Sequence, residues 1–409
     1  MQVMYAPGMM VTPGQEEAAS AVEEVLGNVR DLLPALADTA AETEGNRRVG
    51  DEAMSALVDA GLFRMMMPSR YSGLEAMPVE LFTAIRAISS ACTNTGWVAS
   101  SLAVGTWQVG LFDERAQEEV WGSDPDALIA SAYQPVGRLQ PEGDHYRLSG
   151  SWKYVSGSEH CAWLFIGALV LDASGSPVEH ALVLVPRSDA STRLGPDCVG
   201  LRAAANTDIE IDAATVPAHR VYGAELRALR TSREYRLGLP PMHRYPVTPL
   251  YTSSLTAPLI GAAEGAYAIA HDLLAGKSEH HHVRRRALDN ESVQSAVALA
   301  AHEIDSAVLQ LERDLTEMHA FAVDGEDIPD SLATRMRRDQ VLGARQSTDA
   351  VDRLLRAGGR QCLTLDNPIQ RFWRDIHTGA SHRVNDVDET LSMVGRATLG
   401  LNADESFFV

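Results

Sequence analysis

The hydrophobic period of this 409-residue chain changes twice, and those two changes constrain its fold more than any motif does. From Gln15 to about Gly122, apolar residues recur at three- and four-residue intervals, as in Ala18, Val22, Val25, Leu26, Val29, Leu32 and Leu33. That is the stripe of an amphipathic helix. Near Asp124-Pro125 the pattern shifts to short apolar or alternating runs: Ala127–Gln134, Tyr146–Ser156, Cys161–Leu171 and Ala181–Pro186, with Ile209-Glu210-Ile211 and Val216-Pro217 closing the section. Gly, Pro, Asp and Ser separate these runs, which is the pattern of an antiparallel sheet or barrel. Beyond about Ser253 the helical period returns in Leu255–Ala275, Glu291–Val323, Ser331–Ala357 and Ile369–Gly400, enough for a four-helix bundle.

The expected fold is therefore α+β and mostly α. A loose N-terminal arm (1–14) precedes an N-terminal helical domain (15–123), a central antiparallel, barrel-like β domain (124–225) and a C-terminal four-helix bundle (226–409). Within the first domain, Asp51–Ala60 reads as a short helix closed by a left-handed Gly61. Pro78–Val104 reads as one long helix, and Asp113 as the N-cap of a helix reaching Trp121.

Composition removes several functions. Asp and Glu number 55 against 35 Lys and Arg, a net charge of −20, where a nucleic-acid partner calls for a basic surface. No run of 18 apolar residues occurs, so no membrane span is expected, and Met1–Gly14 lacks the basic-then-apolar order of a secretory signal. Cys92, Cys161, Cys198 and Cys362 form no CxxC, which fits free thiols in a reducing cytoplasm. No metal site is expected: consecutive histidines His280-His281-His282 point about 100° apart on a helix. His302-Glu303 begins like a zinc-protease motif, but Ser306 stands where the second histidine belongs. No GxGxxG follows a strand and no GxxxxGK[ST] occurs, so no nicotinamide or nucleoside-triphosphate site is recognisable.

Pro368–Gly395, with Arg371-Phe372-Trp373-Arg374-Asp375 and then His382, resembles the last long helix of the flavin-dependent monooxygenases built on the acyl-CoA dehydrogenase fold. The resemblance covers nearly the whole chain from Gln15 and includes its domain order. It implies that the Arg-to-Asp run locks the helix into its bundle and that His382 reaches the flavin. The seven-residue spacing is two helical turns with about 20° of drift, so Asp375 and His382 are expected to share one face. Acyl-CoA dehydrogenases of similar sequence place a Glu near this turn to abstract the substrate α-proton. Here Ser381-His382-Arg383-Val384 offers no carboxylate, which favours the oxygenating branch. The plainer role for His382 is a helix-end pair with Asp386 one turn on.

Gly150-Ser151-Trp152-Lys153-Tyr154-Val155-Ser156-Gly157 is similar to the family pattern Gly-x-Trp-x-x-x-Ser/Thr-Gly, on the strand that backs the flavin ring. The match implies that Trp152, Ser156 and Gly157 border the cofactor, with the Ser156 hydroxyl and nearby amides at its N5 edge. His382 and Ser156 are thus the catalytic candidates. Ser131 and Pro135, at the end of the first strand, and Arg286, reaching the flavin phosphate of an adjoining subunit, complete the implied cofactor set.

The segment Asn94-Thr95-Gly96-Trp97-Val98 resembles the roof of the family's substrate pocket, so Trp97 is a stacking candidate. Relatives acting on simple phenols carry a histidine where this chain has Gly105, so a bulkier ring system or a different contact is expected here. His377 lies about 140° around the helix from His382 and is a further substrate candidate, while Phe372 and Trp373 read as core anchors. Tyr133 and Met242–Tyr245 are kept as neighbours of the pocket.

The resemblance implies the oxygenase component of a two-component flavin-dependent monooxygenase. It would take reduced FMN, with FAD the other option, from a separate flavin reductase. With O2 it would form a C4a-hydroperoxyflavin that hydroxylates an aromatic or heteroaromatic small molecule. An N-hydroxylase of an amine or amino sugar, and an acyl-CoA dehydrogenase with a displaced base, are the alternatives. The long apolar faces of Leu255–Ala275 and Ser331–Ala357 exceed the needs of one bundle, and a homotetramer is expected.

Overall fold

The computed structural model describes residues 13–204, 207–275 and 290–401. Residues 1–12 of the expected arm, the histidine triplet and Arg286 lie outside these. The first layer is helical: α1 (Pro13–Asp38), α2 (Ala40–Asn46), α3 (Asp51–Asp59), α4 (Pro78–Ala91), α5 (Thr93–Val109) and α6 (Glu114–Trp121). Val22, Val25 and Val29 of the expected stripe are buried, and Leu26, Leu32 and Leu33 pack half-buried against them. Gly61 closes α3 at φ +84°, and the Asp113 carboxylate accepts the Arg115 N–H at 2.9 Å to open α6.

The single helix expected over Pro78–Val104 is two. Cys92 is extended, at φ −147° and ψ 106°, between α4 and α5. Ser89-Ser90 and Thr93-Asn94-Thr95 flank it, and such side chains compete with the helix for backbone hydrogen bonds. The break lets α5 fold back onto α4.

The strands are β1 (Ile129–Glu142), β2 (His145–Trp152), β3 (Trp163–Leu171), β4 (Pro177–Pro186), β5 (Ser191–Leu194), β6 (Thr207–Pro217) and β7 (Val221–Tyr222). They form one sheet in the order β5-β6-β2-β1-β3-β4-β7. Neighbours are antiparallel except β1 and β3, which pair in parallel from Ile129↔Trp163, a correction to the all-antiparallel expectation. A parallel neighbour requires a crossover rather than a hairpin. Here residues 153–162, which hold Ser156, cross from β2 to β3 beneath the start of β1. Ala162 N–H anchors that crossover on the Leu128 carbonyl at 2.8 Å.

After α7 (Ala224–Thr231) and α8 (Arg233–Leu237) come α9 (Val247–Ala275), α10 (Glu291–Asp324), α11 (Asp330–Gly358), α12 (Pro368–Ala380) and α13 (Val387–Thr398). Helix α9 packs against α4, α5, α10, α11 and α12, so it links the two helical layers. The last predicted helix, Ile369–Gly400, is also broken. A turn over Ser381–Asp386 separates α12 from α13, and the Asp386 carboxylate caps α13 by accepting the Glu389 N–H at 2.9 Å. Asp386 and Glu389 have the spacing of a capping pair, a signal present in the sequence.

Candidate functional site

Helix α5 carries Trp97, Ser101, Val104 and Gln108 along one stripe, spaced four, three and four residues apart. Every residue from Thr93 to Val109 is buried except Ser101. A half-exposed serine in an otherwise buried helix marks the point where α5 meets open space, and sequence reasoning missed it. The Ser100-Ser101 pair inside an apolar run was the available signal.

At one end of this stripe the Trp97 indole Nε1–H donates to Ser156 Oγ at 3.2 Å, with both side chains buried. Because the indole occupies a serine lone pair, the hydroxyl proton is directed elsewhere and remains a donor. Gly157 follows at φ +75°, and a Cβ there would sit 2.9 Å from Leu102, so the turn presses directly on α5. Tyr154 is held at φ +58° while its side chain is 48% exposed. An exposed tyrosine in a left-handed conformation is strained, and such strain concentrates at ligand sites. Tyr154 was also missed, because the motif drew attention to Trp152.

At the other end, Tyr133 donates its hydroxyl to Gln108 Oε1 at 2.6 Å, and its ring centroid lies 4.1 Å from that of Tyr251 on α9. Burial raises both phenols, Tyr251 to about 12, so both are neutral at pH 7. Arg337 on α11, pushed down to about 10 by burial, adds its charge toward Tyr251. Ser131 lies beside the Tyr133 phenol and opposes its rise. The ladder between β1 and β3 skips from Ala132 to Gly137, leaving residues 133–136 as a bulge, with Pro135 and Val136 exposed. Bulges of this kind recur beside active sites.

His382 lies in the turn between α12 and α13, not on the helix, so it does not share a helical face with Asp375. Its N–H donates to the Gly379 carbonyl at 3.1 Å. A Cβ on Gly379 would lie 2.8 Å from the Trp97 ring. The turn carrying His382 therefore starts on Trp97, one hydrogen bond from Ser156. The Val384 N–H donates to His382 Nδ1 at 3.2 Å, so the neutral ring carries its proton on Nε2. Burial lowers its pKa and keeps it neutral at pH 7. Asp386, the alternative partner, is engaged at the α13 cap. Gln340 and Asn385 brace this turn: Gln340 Nε2 donates to Asn385 Oδ1 at 2.6 Å, and Asn385 Nδ2 to Gly379 O at 3.0 Å.

Other predicted site residues are placed elsewhere. Trp152 is fully buried within the sheet, where Nε1 donates to Gly167 O at 2.9 Å and the ring covers Gly137 and Gly150. Gly105 leaves no room for a larger ring. A Cβ there would fall well inside contact distance of the Ile129 carbonyl oxygen, so Gly105 is the point where α5 rests on β1. Met242 and Tyr245 are core residues, the former accepting from Trp107 Nε1 at 2.8 Å. His377 shares Asp352 with Trp373, at 3.0 and 2.7 Å, and ties α12 to α11. His377→Ala is expected to cost about 1 kcal/mol of stability without changing flavin affinity, to be read from urea denaturation and flavin titration.

A cavity of about 620 Å³ among α1, α4, α9 and the start of α12 shares no lining residue with the Ser156–His382 cluster. Glu264 on its wall is already paired with Arg86 at 2.9 Å.

A crossover turn whose buried serine hydroxyl keeps its proton to donate, a strand bulge and an exposed aromatic make a wall suited to a flat, polar-edged ring such as a flavin. The fold and site thus define a flavoprotein with helical layers around a mixed sheet. Residues 19–122 match the acyl-CoA dehydrogenase N-terminal domain and residues 253–387 the acyl-CoA dehydrogenase C-terminal domain. The chain is 35% identical to the flavin-dependent monooxygenase oxygenase subunit HsaA of Mycobacterium tuberculosis, over 93% of this chain and 96% of that one. Its fold superposes on 3-HSA hydroxylase from Rhodococcus sp. RHA1 with a TM-score of 0.89 at 34% identity, covering 94% of this chain and 99% of that one. XiaF from Streptomyces, solved with FADH2 and glycerol, gives 0.88 at 30% identity, over 96% and 99%. The chain belongs to the acyl-CoA dehydrogenase superfamily, in its branch of flavin-dependent monooxygenase oxygenase components.

Proposed function

We propose that this chain uses reduced FMN or FAD, delivered by a separate reductase, to hydroxylate an aromatic or heteroaromatic small molecule. One observation carries the reading: Trp97 donates to Ser156 and leaves its hydroxyl proton free to donate, and Trp97 packs on the turn whose neutral His382 carries its proton on Nε2. Bound there, reduced flavin would supply the electrons and activate O2, one oxygen atom going to the substrate and the other to water. The protein's share is to hold donors at fixed positions and exclude water. Ser156 would hold the ring edge, and His382 would donate or retrieve a proton through Nε2. Tyr133 and Tyr251 would form a neutral aromatic wall for the substrate, with Ser101 as its polar contact. Relatives named for 3-HSA, resorcinol and p-hydroxyphenylacetate support an aromatic substrate.

Among the described residues no helix is long and apolar enough to cross a membrane. A cytoplasmic homotetramer belongs to the same proposal, supported by four free thiols and by exposed Leu299 and Leu309 along α10. Light scattering at the mass of four chains would bear out the assembly.

The functional test is anaerobic titration with reduced FMN and FAD, then mixing with ¹⁸O2 and a panel of phenols and indoles. Substrate labelled with one ¹⁸O atom is expected. Ser156→Ala, which leaves the Trp97 indole unpaired, should lower product per flavin by about 10-fold or more. Failure to bind reduced flavin, or oxidation of acyl thioesters by the FAD-loaded protein, would overturn the reading.

A further inference from the structure

We propose that Asp375 and Asn94 are positioning residues that seat the loop of residues 195–203 against Trp97, and thereby fix the direction in which Ser156 donates. This rests on the functional reading above and extends it to residues outside the pocket wall.

Neither residue lies on the loop. Asp375, 1% exposed at the heart of α12, accepts the Leu201 N–H on Oδ1 at 2.6 Å and Asn94 Nδ2 on Oδ2 at 3.0 Å. Asn94, fully buried at the start of α5, uses its Oδ1 to accept the Ala203 N–H at 2.9 Å. A carboxylate and a carboxamide thus satisfy two loop amides that no strand satisfies. A buried charge is costly unless hydrogen-bonded, and burial pushes the Asp375 carboxyl up to about 7, opposed by the Leu201 amide. Such a group is expensive as mere filler between helices.

What the pair achieves is visible at Leu201. This residue sits at φ +47°, a conformation unfavourable for an L side chain, so the loop needs an external hold to keep it. In return its side chain is inserted into the core. A Cβ at Gly379 would meet Leu259 at 2.6 Å, the Trp97 ring at 2.8 Å and Leu201 Cδ1 at 3.4 Å, so these groups converge on one point. Leu201 buttresses the indole that holds Ser156. The loop's flank is fastened separately: Arg374 Nη1 donates to Val199 O at 2.8 Å, and Arg47 to the carbonyls of Gly195 and Pro196, each at 3.0 Å. Asp375 is therefore a positioning residue, acting through Leu201 and Trp97 on Ser156.

The donor–acceptor pattern allows a test by exchange. In Asp375→Asn the new amide must aim its NH2 at the Leu201 N–H or at the Asn94 NH2, so one clamp bond is lost. In the swap N94D/D375N, residue 94 accepts from Ala203 and from the new amide, and residue 375 accepts from Leu201, restoring every bond. Hydrogen exchange at residues 201–203, with no cofactor present, is expected to quicken at least about 10-fold in Asp375→Asn and to return to within about twofold in the swap. Protein loaded with reduced FMN is then mixed with oxygenated buffer without substrate. Hydrogen peroxide release should quicken at least about fivefold in Asp375→Asn and be restored in the swap.

Unchanged exchange in Asp375→Asn, or a swap no better than the single variant, would overturn the clamp. Exchange that quickens while peroxide release stays fixed would overturn the link to Ser156. If Asp375→Asn fails to fold, the swap decides: a folded swap with parental exchange and peroxide release supports the pairing, and an unfolded one overturns it. Immediate peroxide release from the parent protein would instead count against the functional reading, and with it the Ser156 link, while the exchange rates still decide the clamp.

Discussion

His382→Asn is expected to leave reduced-flavin affinity within about threefold of the parent, yet to cut hydroxylated product by about 10²-fold or more, the scale of a lost proton-transfer group. The choice of Asn separates two roles of the imidazole. His382 Nδ1 accepts from the Val384 N–H at 3.2 Å and so caps the turn between α12 and α13. An Asn Oδ1 reaches the same amide, as in other short polar caps, but offers no donor at the Nε2 position. His382→Ala removes both, and should lose stability in addition. If Asn retains full coupling of flavin oxidation to product, the imidazole serves the turn alone. The same geometry sets a pH dependence. Burial lowers the His382 pKa below its ordinary 6.5, and a protonated ring would turn an N–H against the Val384 N–H. The stability it contributes is present above pH 6.5 and is lost as pH falls below it, when the unfolded chain takes up a proton that the folded one resists. Product yield in stopped-flow at graded pH should therefore fall on the acid side and stay flat from pH 7 to 8.

The fold was legible where one physical rule acts alone. Apolar period separates the helical layers from the strands, and Gly61 and Asp113 end or begin helices by local chemistry. Reading failed where a polar cluster interrupts a sound period. Asn94 and His382 both lie at such breaks, beside Cys92 and within Ser381–Asp386. Their side chains turn to partners distant in sequence, Ala203 for Asn94, or cap the break itself, as His382 does. The parallel pairing of β1 with β3 depends on a crossover whose course no strand pattern encodes. The site divided in the same way. Ser156 and Trp97 were named from motif resemblance and prove to be hydrogen-bonded partners. Trp152 has the same motif support, but the glycines that shape the sheet beneath it decide that its ring turns inward. Ser101 and Tyr154 are revealed by exposure and backbone strain, quantities that exist only after folding.

Gly105 shows how the same absence of a side chain can carry opposite meanings, and a pair of substitutions exposes it. In Gly27→Ala the added Cβ meets nothing within 4 Å on α1, so helix propensity alone applies and the protein should gain about 0.5–1 kcal/mol. Gly105→Ala gains the same propensity on α5, but its Cβ is driven into the Ile129 carbonyl oxygen. That atom is backbone and cannot rotate away, so helix and strand must separate. Forced overpacking of this kind costs about 1–3 kcal/mol, leaving a net loss of about 1 kcal/mol after the propensity gain is subtracted. The displacement also reaches function, because Ile129 begins the strand that carries Ser131 and the 133–136 bulge, in ladder with β3. Urea midpoints should thus move in opposite directions for the two variants, and only Gly105→Ala should weaken reduced-flavin binding. A Gly105→Ala protein as stable as Gly27→Ala would mean that α5 stands clear of β1, restoring Gly105 as open space in the substrate pocket.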